Sequence, residues 1–220
     1  MFITFEGPEG GGKSTQAKLL SEHLEKQNKE HVLTKEPGTI FSKECQEIRH
    51  LLLNPDNKLA PTAELFLYLA DRAQHVENCI QPALNSGKWV ISDRFSFSTY
   101  AYQGCGRGYL HTGSSGDYWF NETLDIAANY LMPDVSFIMD LPVEIGLKRA
   151  KKSNKEFDGG DRMEREALDF HNKLRKGFLD IAEKQRKRCI VLNAEKSIEE
   201  LHEDVKEVLR QRTDGNKITF

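Results

Sequence analysis

The chain has 220 residues, enough for one compact domain that encloses its own core. With 38% hydrophobic and 30% charged residues it reads as soluble and globular, and no apolar run approaches the length that crosses a bilayer. A net charge of −3 argues against a general nucleic-acid binder, which is usually basic, but leaves room for a local basic pocket.

Strand-like and helix-like stretches alternate along the chain, the pattern of an α/β fold with a mostly parallel sheet. Residues 2–5 form a short apolar run that enters a glycine loop, which reads as a core strand and not an export signal, so a cytoplasmic location is expected. Residues 14–26 carry Ala17, Leu20 and Leu24 at helical spacing. Residues 31–34 are a second strand, closed by Pro37-Gly38. Residues 41–53 repeat the helical spacing in Cys45, Ile48 and Leu52, and residues 62–84 predict one long helix. Residues 89–91 are a third strand running into Ser92-Asp93-Arg94, and residues 135–139 a fourth, followed by a helix from about Val143. Residues 188–192 are a fifth strand, with a terminal helix from about Ile198.

Two stretches break the alternation. Residues 104–116 hold five glycines and are expected to be a loop. Residues 151–162 are charged, contain Gly159-Gly160 and lie between two helices, a length of excursion that is more often functional than idle. One domain over 1–212 is expected, with a lid at about 151–162 and a tail at 213–220. Cys45, Cys79, Cys105 and Cys189 are scattered and read as reduced thiols.

Gly7-Pro8-Glu9-Gly10-Gly11-Gly12-Lys13-Ser14 fits the pattern G-x-x-x-x-G-K-[ST], between a predicted strand and a predicted helix as the motif requires. Glycines let backbone N–H groups surround phosphate oxygens, and the helix N-terminus adds partial positive charge. Lys13 then reaches the β/γ-phosphates and Ser14 ligates Mg²⁺. A carboxylate at Glu9 is odd beside a triphosphate. It is either a solvated acid or a partner for a hydroxyl of a second substrate.

The acceptor side follows the third strand. Asp93 is placed to join the Mg²⁺ shell, and Arg94 to grip phosphate oxygens with its planar fork. Thr99 and Gln103 are four residues apart and share a face if 96–103 is helical. Tyr68 and Arg72 have the same spacing, an aromatic plate beside a fork donor. Such pairs suit a nucleobase pocket, although a core tyrosine next to a surface arginine gives the same pattern. Lys151, Lys152 and Lys155 lie where a lid would bring charge over a migrating phosphoryl group; a solvated charged loop is the plainer reading. Asp161 and Glu164, three apart with Arg162 between them, are expected on one helical face.

Taken together these motifs resemble thymidylate kinases over nearly the whole chain, from Phe2 to about Leu209. The P-loop continues into Thr15, Glu36-Pro37-Gly38 and Asp93-Arg94-Phe95 follow in order, and Ser98-Thr99-Tyr100-Ala101-Tyr102-Gln103-Gly104 is the most family-specific run. Pro133-Asp134 and Gly146-Leu147-Lys148-Arg149-Ala150 also look like that family. The resemblance implies a three-layer P-loop fold with a five-stranded parallel sheet and a mobile lid, ATP, dTMP and Mg²⁺ as ligands, and a homodimer. It implies that the P-loop from Gly7 to Thr15 binds ATP and that Arg149 lies against adenine. It places Glu9 on the sugar 3′-hydroxyl of dTMP, Arg49 and Arg94 on its phosphate, and Tyr68 against thymine. Arg72, Thr99 and Gln103 read the polar edge of the base, Glu36 and Pro37 belong to the same pocket, and Asp161 and Glu164 match an acidic pair after the lid. Gly10 stands where some members carry a P-loop Arg, so the chain looks like the lid-basic, bacterial-like type. Lys35, Thr39 and a lid of lysines depart from residues common in the family.

Another nucleoside monophosphate kinase or a deoxynucleoside kinase is the nearest alternative. A P-loop switch is a different class, but guanine-specific N-K-x-D is missing, since Asn57-Lys58-Leu59-Ala60 lacks the Asp. Transfer is expected to be direct and in line, because a nucleotide phosphate is already a nucleophile.

Overall fold

The computed structural model describes residues 1–110, 115–153 and 160–213. Five strands, β1 (Phe2–Glu6), β2 (His31–Lys35), β3 (Trp89–Asp93), β4 (Val135–Asp140) and β5 (Cys189–Asn193), form one sheet in the order β2-β3-β1-β4-β5. Every pairing is parallel, with Ile3 opposite Ile91 on one side and Val135 on the other. Helices α1 (Lys13–Lys26) and α9 (Ile198–Thr213) cover one face, where Leu20, Leu24 and Val205 pack on Ile3 and Phe5. The other face carries α3 (Pro61–His75), α6 (Ser115–Ala127) and α8 (Leu168–Lys184), around Leu65, Phe120 and Phe178. A sheet buried on both faces explains why its central strands are almost continuously apolar.

All five expected strands are present, each within about two residues of its predicted bounds. Helix α2 (Lys43–Leu53) starts later than the spacing suggests, because the Ser42 hydroxyl accepts from the Cys45 amide at 3.2 Å and caps it there. The expected single helix over 62–84 is three segments: α3, a π-helical turn at Val76–Ile80, and α4 (Gln81–Asn85). Pro82 lacks the N–H that an α-type bond back to Asn78 would need, and the wider turn precedes it.

The glycine-rich stretch corrects the sequence reading. After α5 (Ser96–Thr99) a π-helical segment, Tyr100–Gly106, runs through two of its glycines, and α6 begins at Ser115. Added Cβ atoms at Gly104 and Gly106 would lie 2.6 Å from Leu110 and Phe170, so these glycines serve close packing inside a helix and not a turn. Residues 107 and 108 do turn, and His111, Thr112, Gly113 and Ser114 lie outside the described residues. Helix α6 stands where no element is expected; α8 is the helix expected after the charged stretch, and its Phe170, Leu174, Phe178 and Ile181 keep helical spacing and are all buried. Helix α7 (Val143–Ser153) starts where expected.

Candidate functional site

An open cleft of about 1000 Å³ crosses the carboxyl ends of the strands, where open α/β sheets bind ligands. Glu36, Arg94 and Ala194, the first residues after β2, β3 and β5, all line it.

At its centre is the glycine loop. Gly7, Gly10 and Gly12 hold φ of 128°, 68° and 83°, values that favour residues without a Cβ. Helix α1 begins with no side-chain cap and no acidic residue in its first turn, so its leading N–H groups and partial positive charge are left for a ligand. Lys13 is buried and donates to the Pro8 carbonyl at 2.7 Å. Burial and neighbouring Arg94 bring its pKa down to about 8. Ser14 donates its hydroxyl proton to the Asp93 carboxylate. Thr15 follows Ser14 on the cleft wall.

Arg94 joins this loop to the rest of the cleft. It stands at φ 74°, a cost of roughly 1–3 kcal/mol that surrounding contacts must hold in place. Its guanidinium donates to the Gly7 carbonyl, the Ser98 hydroxyl, Glu9 and the Tyr102 hydroxyl, each at 3.0 Å. Tyr102 in turn donates to the other oxygen of Glu9. Burial opposes charge on Glu9, but Arg94 and Lys13 outweigh it and hold the carboxyl down at about 2. Glu9 is therefore an ionised acceptor inside the cleft, not a solvated acid.

Helices α3 and α5 and the segment after α5 build the far end. Tyr68, Arg72, Thr99 and Gln103 all line the cleft, so the two spaced pairs do converge. Arg72 is less free than the sequence suggests. Its Nε and Nη2 donate to Glu36 at 3.0 and 2.8 Å, Nη2 also reaches the Phe95 carbonyl, and only Nη1 has no partner among the described residues. Glu36 lines the cleft, yet both its oxygens are engaged, one by Arg72 and one by His75 at 2.9 Å. It therefore also orients Arg72 from the cleft wall. Thr99 Oγ1 is buried and has no partner among the described residues, and Gln103 Nε2 donates to Glu64 at 2.8 Å. Arg49 donates to the Pro37 carbonyl at 3.0 Å and packs under Gly38, and both Arg49 and Pro37 line the cleft.

Asp161 and Glu164 reach the cleft from a turn and not from a helical face. Asp161 Oδ1 accepts from the amides of Met163 and Glu164 at 2.8 and 2.9 Å, a local closure that competes with helix formation. Burial and the charge of Glu9 push the Asp161 carboxyl up to about 6. Arg149 lines the opposite end and donates to the Ala194 carbonyl at 2.7 Å, beside Ser197 and Ile198, which the sequence reading passes over. Lys151 and Lys152 sit exposed in the last turn of α7 and outside the cleft wall, and Lys155 lies outside the described residues.

Three carboxyl-centred groupings bring in residues that the sequence reading gives no site role. Glu6 accepts from the Phe95 amide and the Ser98 hydroxyl at 2.9 and 2.6 Å, fixing the turn that carries Arg94; burial pushes its carboxyl up to about 7. Tyr102 completes the Glu9–Arg94 contact, and its spacing of four from Ser98 is the signal that it shares Arg94's face. Glu64 collects Gln103, Arg107 and Arg162, and it lies four residues before Tyr68 on α3.

A parallel sheet in this strand order, a glycine loop with a buried lysine after its central strand and a second pocket joined to that loop by one arginine define a P-loop nucleotide-binding protein of the phosphotransferase kind. The family model for thymidylate kinase matches residues 5–205. A thymidylate kinase of Carboxydothermus hydrogenoformans is 45% identical over 93% of this chain and 94% of its own, and one of Maridesulfovibrio salexigens is 42% identical over 100% and 99%. The crystal structure of thymidylate kinase from Ehrlichia chaffeensis superposes with a TM-score of 0.73 at 33% identity, covering 95% of this chain and 98% of that one. The chain belongs to the thymidylate kinase family.

Proposed function

We propose that this chain transfers the γ-phosphoryl group of ATP to dTMP, giving dTDP and ADP. Family membership carries the activity, and Arg94 is the observation that ties it to this cleft. One guanidinium touches both the phosphate loop, at Gly7, and the Glu9–Tyr102 pair of the second pocket. A fork in that position holds oxygens of two phosphates in line, and positioning with charge neutralisation is most of what phosphoryl transfer requires.

ATP takes the glycine loop and Lys13, with its base toward Arg149. The dTMP phosphate takes Arg94 and Arg49, its sugar hydroxyl meets Glu9, and its base lies on Tyr68 between Arg72, Thr99 and Gln103. Asp161 and Glu164 close the sugar side near Glu9. Ser14 and Asp93 offer the hydroxyl and carboxylate oxygens that suit Mg²⁺, a hard cation that takes its remaining ligands from phosphate and water. Bound there, the ion neutralises charge on the β- and γ-phosphates. Among the described residues, Lys13 and Arg94 carry the positive charge at the transfer point, since Lys151 and Lys152 lie off the cleft wall. Residues 1–212 act as one kinase domain. Exposed Phe66, Tyr118, Trp119 and Ile126 on helices α3 and α6 support a homodimer. A cytoplasmic site of action agrees with the family, and no described helix is long and apolar enough to cross a membrane.

The test is ADP release with ATP and Mg²⁺ against dTMP, dUMP, UMP, dCMP and thymidine. Transfer should be fastest to dTMP and absent with thymidine, which brings no phosphate to Arg94. Failure to form dTDP overturns the reading.

A further inference from the structure

Glu64 takes no part in the contacts assigned above to either substrate. Its side chain is 1% exposed, yet four donors converge on it. Oε1 accepts from Gln103 Nε2 at 2.8 Å and Arg107 Nε at 3.1 Å. Oε2 accepts from Arg107 Nη2 at 2.9 Å and Arg162 Nη1 at 2.6 Å. Burial works against a charge here, and the hydrogen bonds from Arg107 and Gln103 together with Arg162 keep the carboxyl below its usual range. An ionised carboxylate only accepts. The Gln103 amide therefore has one permitted orientation, NH₂ toward Glu64, and its Oε1 is the group left for a ligand.

A second donor lining the same cleft is Arg72, whose Nη1 is buried and unpartnered among the described residues while its other nitrogens are held by Glu36 and the Phe95 carbonyl. A donor and a fixed acceptor lining one cleft complement a C=O beside an N–H. Thymine and uracil show that order at C4 and N3; cytosine shows the reverse, an amino group beside a bare ring nitrogen. We infer that Glu64 is a positioning residue that sets base specificity, by locking Gln103 as an acceptor and so excluding the cytosine edge. This rests on dTMP being the acceptor.

The experiment compares kcat/KM for dTMP, dUMP and dCMP in wild type and Glu64→Gln. A neutral amide at 64 places its own NH₂ least badly at the Oε1 position, where one arginine donor opposes it and not two. Gln103 then turns its oxygen toward residue 64 and its NH₂ into the pocket. The preference for dTMP over dCMP should narrow by about tenfold or more, since a buried donor facing a donor is the costly mismatch. The dUMP rate should follow dTMP in both proteins. A variant that is slower but keeps the wild-type dTMP:dCMP ratio overturns the role of Glu64 and leaves the kinase reading intact. A wild type inert toward dTMP overturns the kinase reading itself. If Glu64→Gln does not fold, wild type decides: the Gln103 side-chain amide protons, identified by their loss in Gln103→Met, should exchange slowly with solvent in the substrate-free protein. Fast exchange overturns the inference.

Discussion

The glycine loop around Gly10 rests backbone to backbone on Gly146, and three alanine substitutions separate what each glycine does. A Cβ at Gly10 would lie 2.0 Å from the Gly146 carbonyl oxygen, and one at Gly146 would lie 2.4 Å from the Glu9 carbonyl oxygen. Both obstacles are backbone and have no rotamer to escape into. Gly10 also holds φ 68°, which costs an L-residue about 1–2 kcal/mol. Gly12 holds φ 83° with nothing within 4 Å of its missing Cβ, so Gly12→Ala measures that conformational cost alone. Gly10→Ala adds overpacking of roughly 1–3 kcal/mol, for a total of roughly 2–5 kcal/mol. Gly146 lies in the first turn of α7 with no positive φ, where replacement of a helical glycine ordinarily gains about 1 kcal/mol. Here the sign should reverse to a loss. Urea denaturation without nucleotide measures all three. Equal losses at Gly10 and Gly12, within about 0.5 kcal/mol, or a gain at Gly146, would refute the claim that the P-loop rests directly on α7. By the same geometry an arginine placed at Gly10 cannot be accommodated in this backbone, so charge over the transfer point has to come from elsewhere.

Lys13→Ala should lower kcat by about 10³-fold, the scale of losing a main electrostatic donor, and near-normal turnover in a coupled ADP assay would remove Lys13 from the transfer step. The His75 ring gives a pH test. Burial opposes its charge, but the Cys79 thiol and the Glu36 carboxylate favour it and hold the pKa up at about 9 against an ordinary 6.5. A raised histidine stabilises the fold below pH 6.5, and that contribution is lost as pH rises through 9. Wild type should lose up to about 3 kcal/mol relative to His75→Gln across that window in urea titrations, and parallel curves for the two proteins would show that the ring is neutral.

The P-loop was legible because its chemistry is local: glycines, a lysine and a hydroxyl in eight consecutive residues allow little else between a strand and a helix. The strands were legible for a similar reason, since apolar runs bounded by turn residues need no knowledge of the rest of the chain. The pairs Tyr68–Arg72 and Thr99–Gln103 were visible as spacings, but spacing does not say which atoms remain free. That Glu36 holds Arg72 through two hydrogen bonds is visible only in the folded chain, 36 residues apart in sequence. The glycines at 104 and 106 were read as a loop because a sequence does not show that Phe170 and Leu110 approach to contact distance.

The sequence by itself determined the phosphate loop, the strand succession and the spaced pairs of a candidate nucleobase pocket, because each follows from neighbours a few positions apart. Only the tertiary structure decided how those residues are paired: Glu9 with Arg94 and Tyr102, Glu6 with Ser98, Glu64 with Gln103, across separations of 39 to 93 residues. Those pairings fix ionisation state and amide orientation through burial and hydrogen bonding, and both depend on what the folded chain places within about 3 Å.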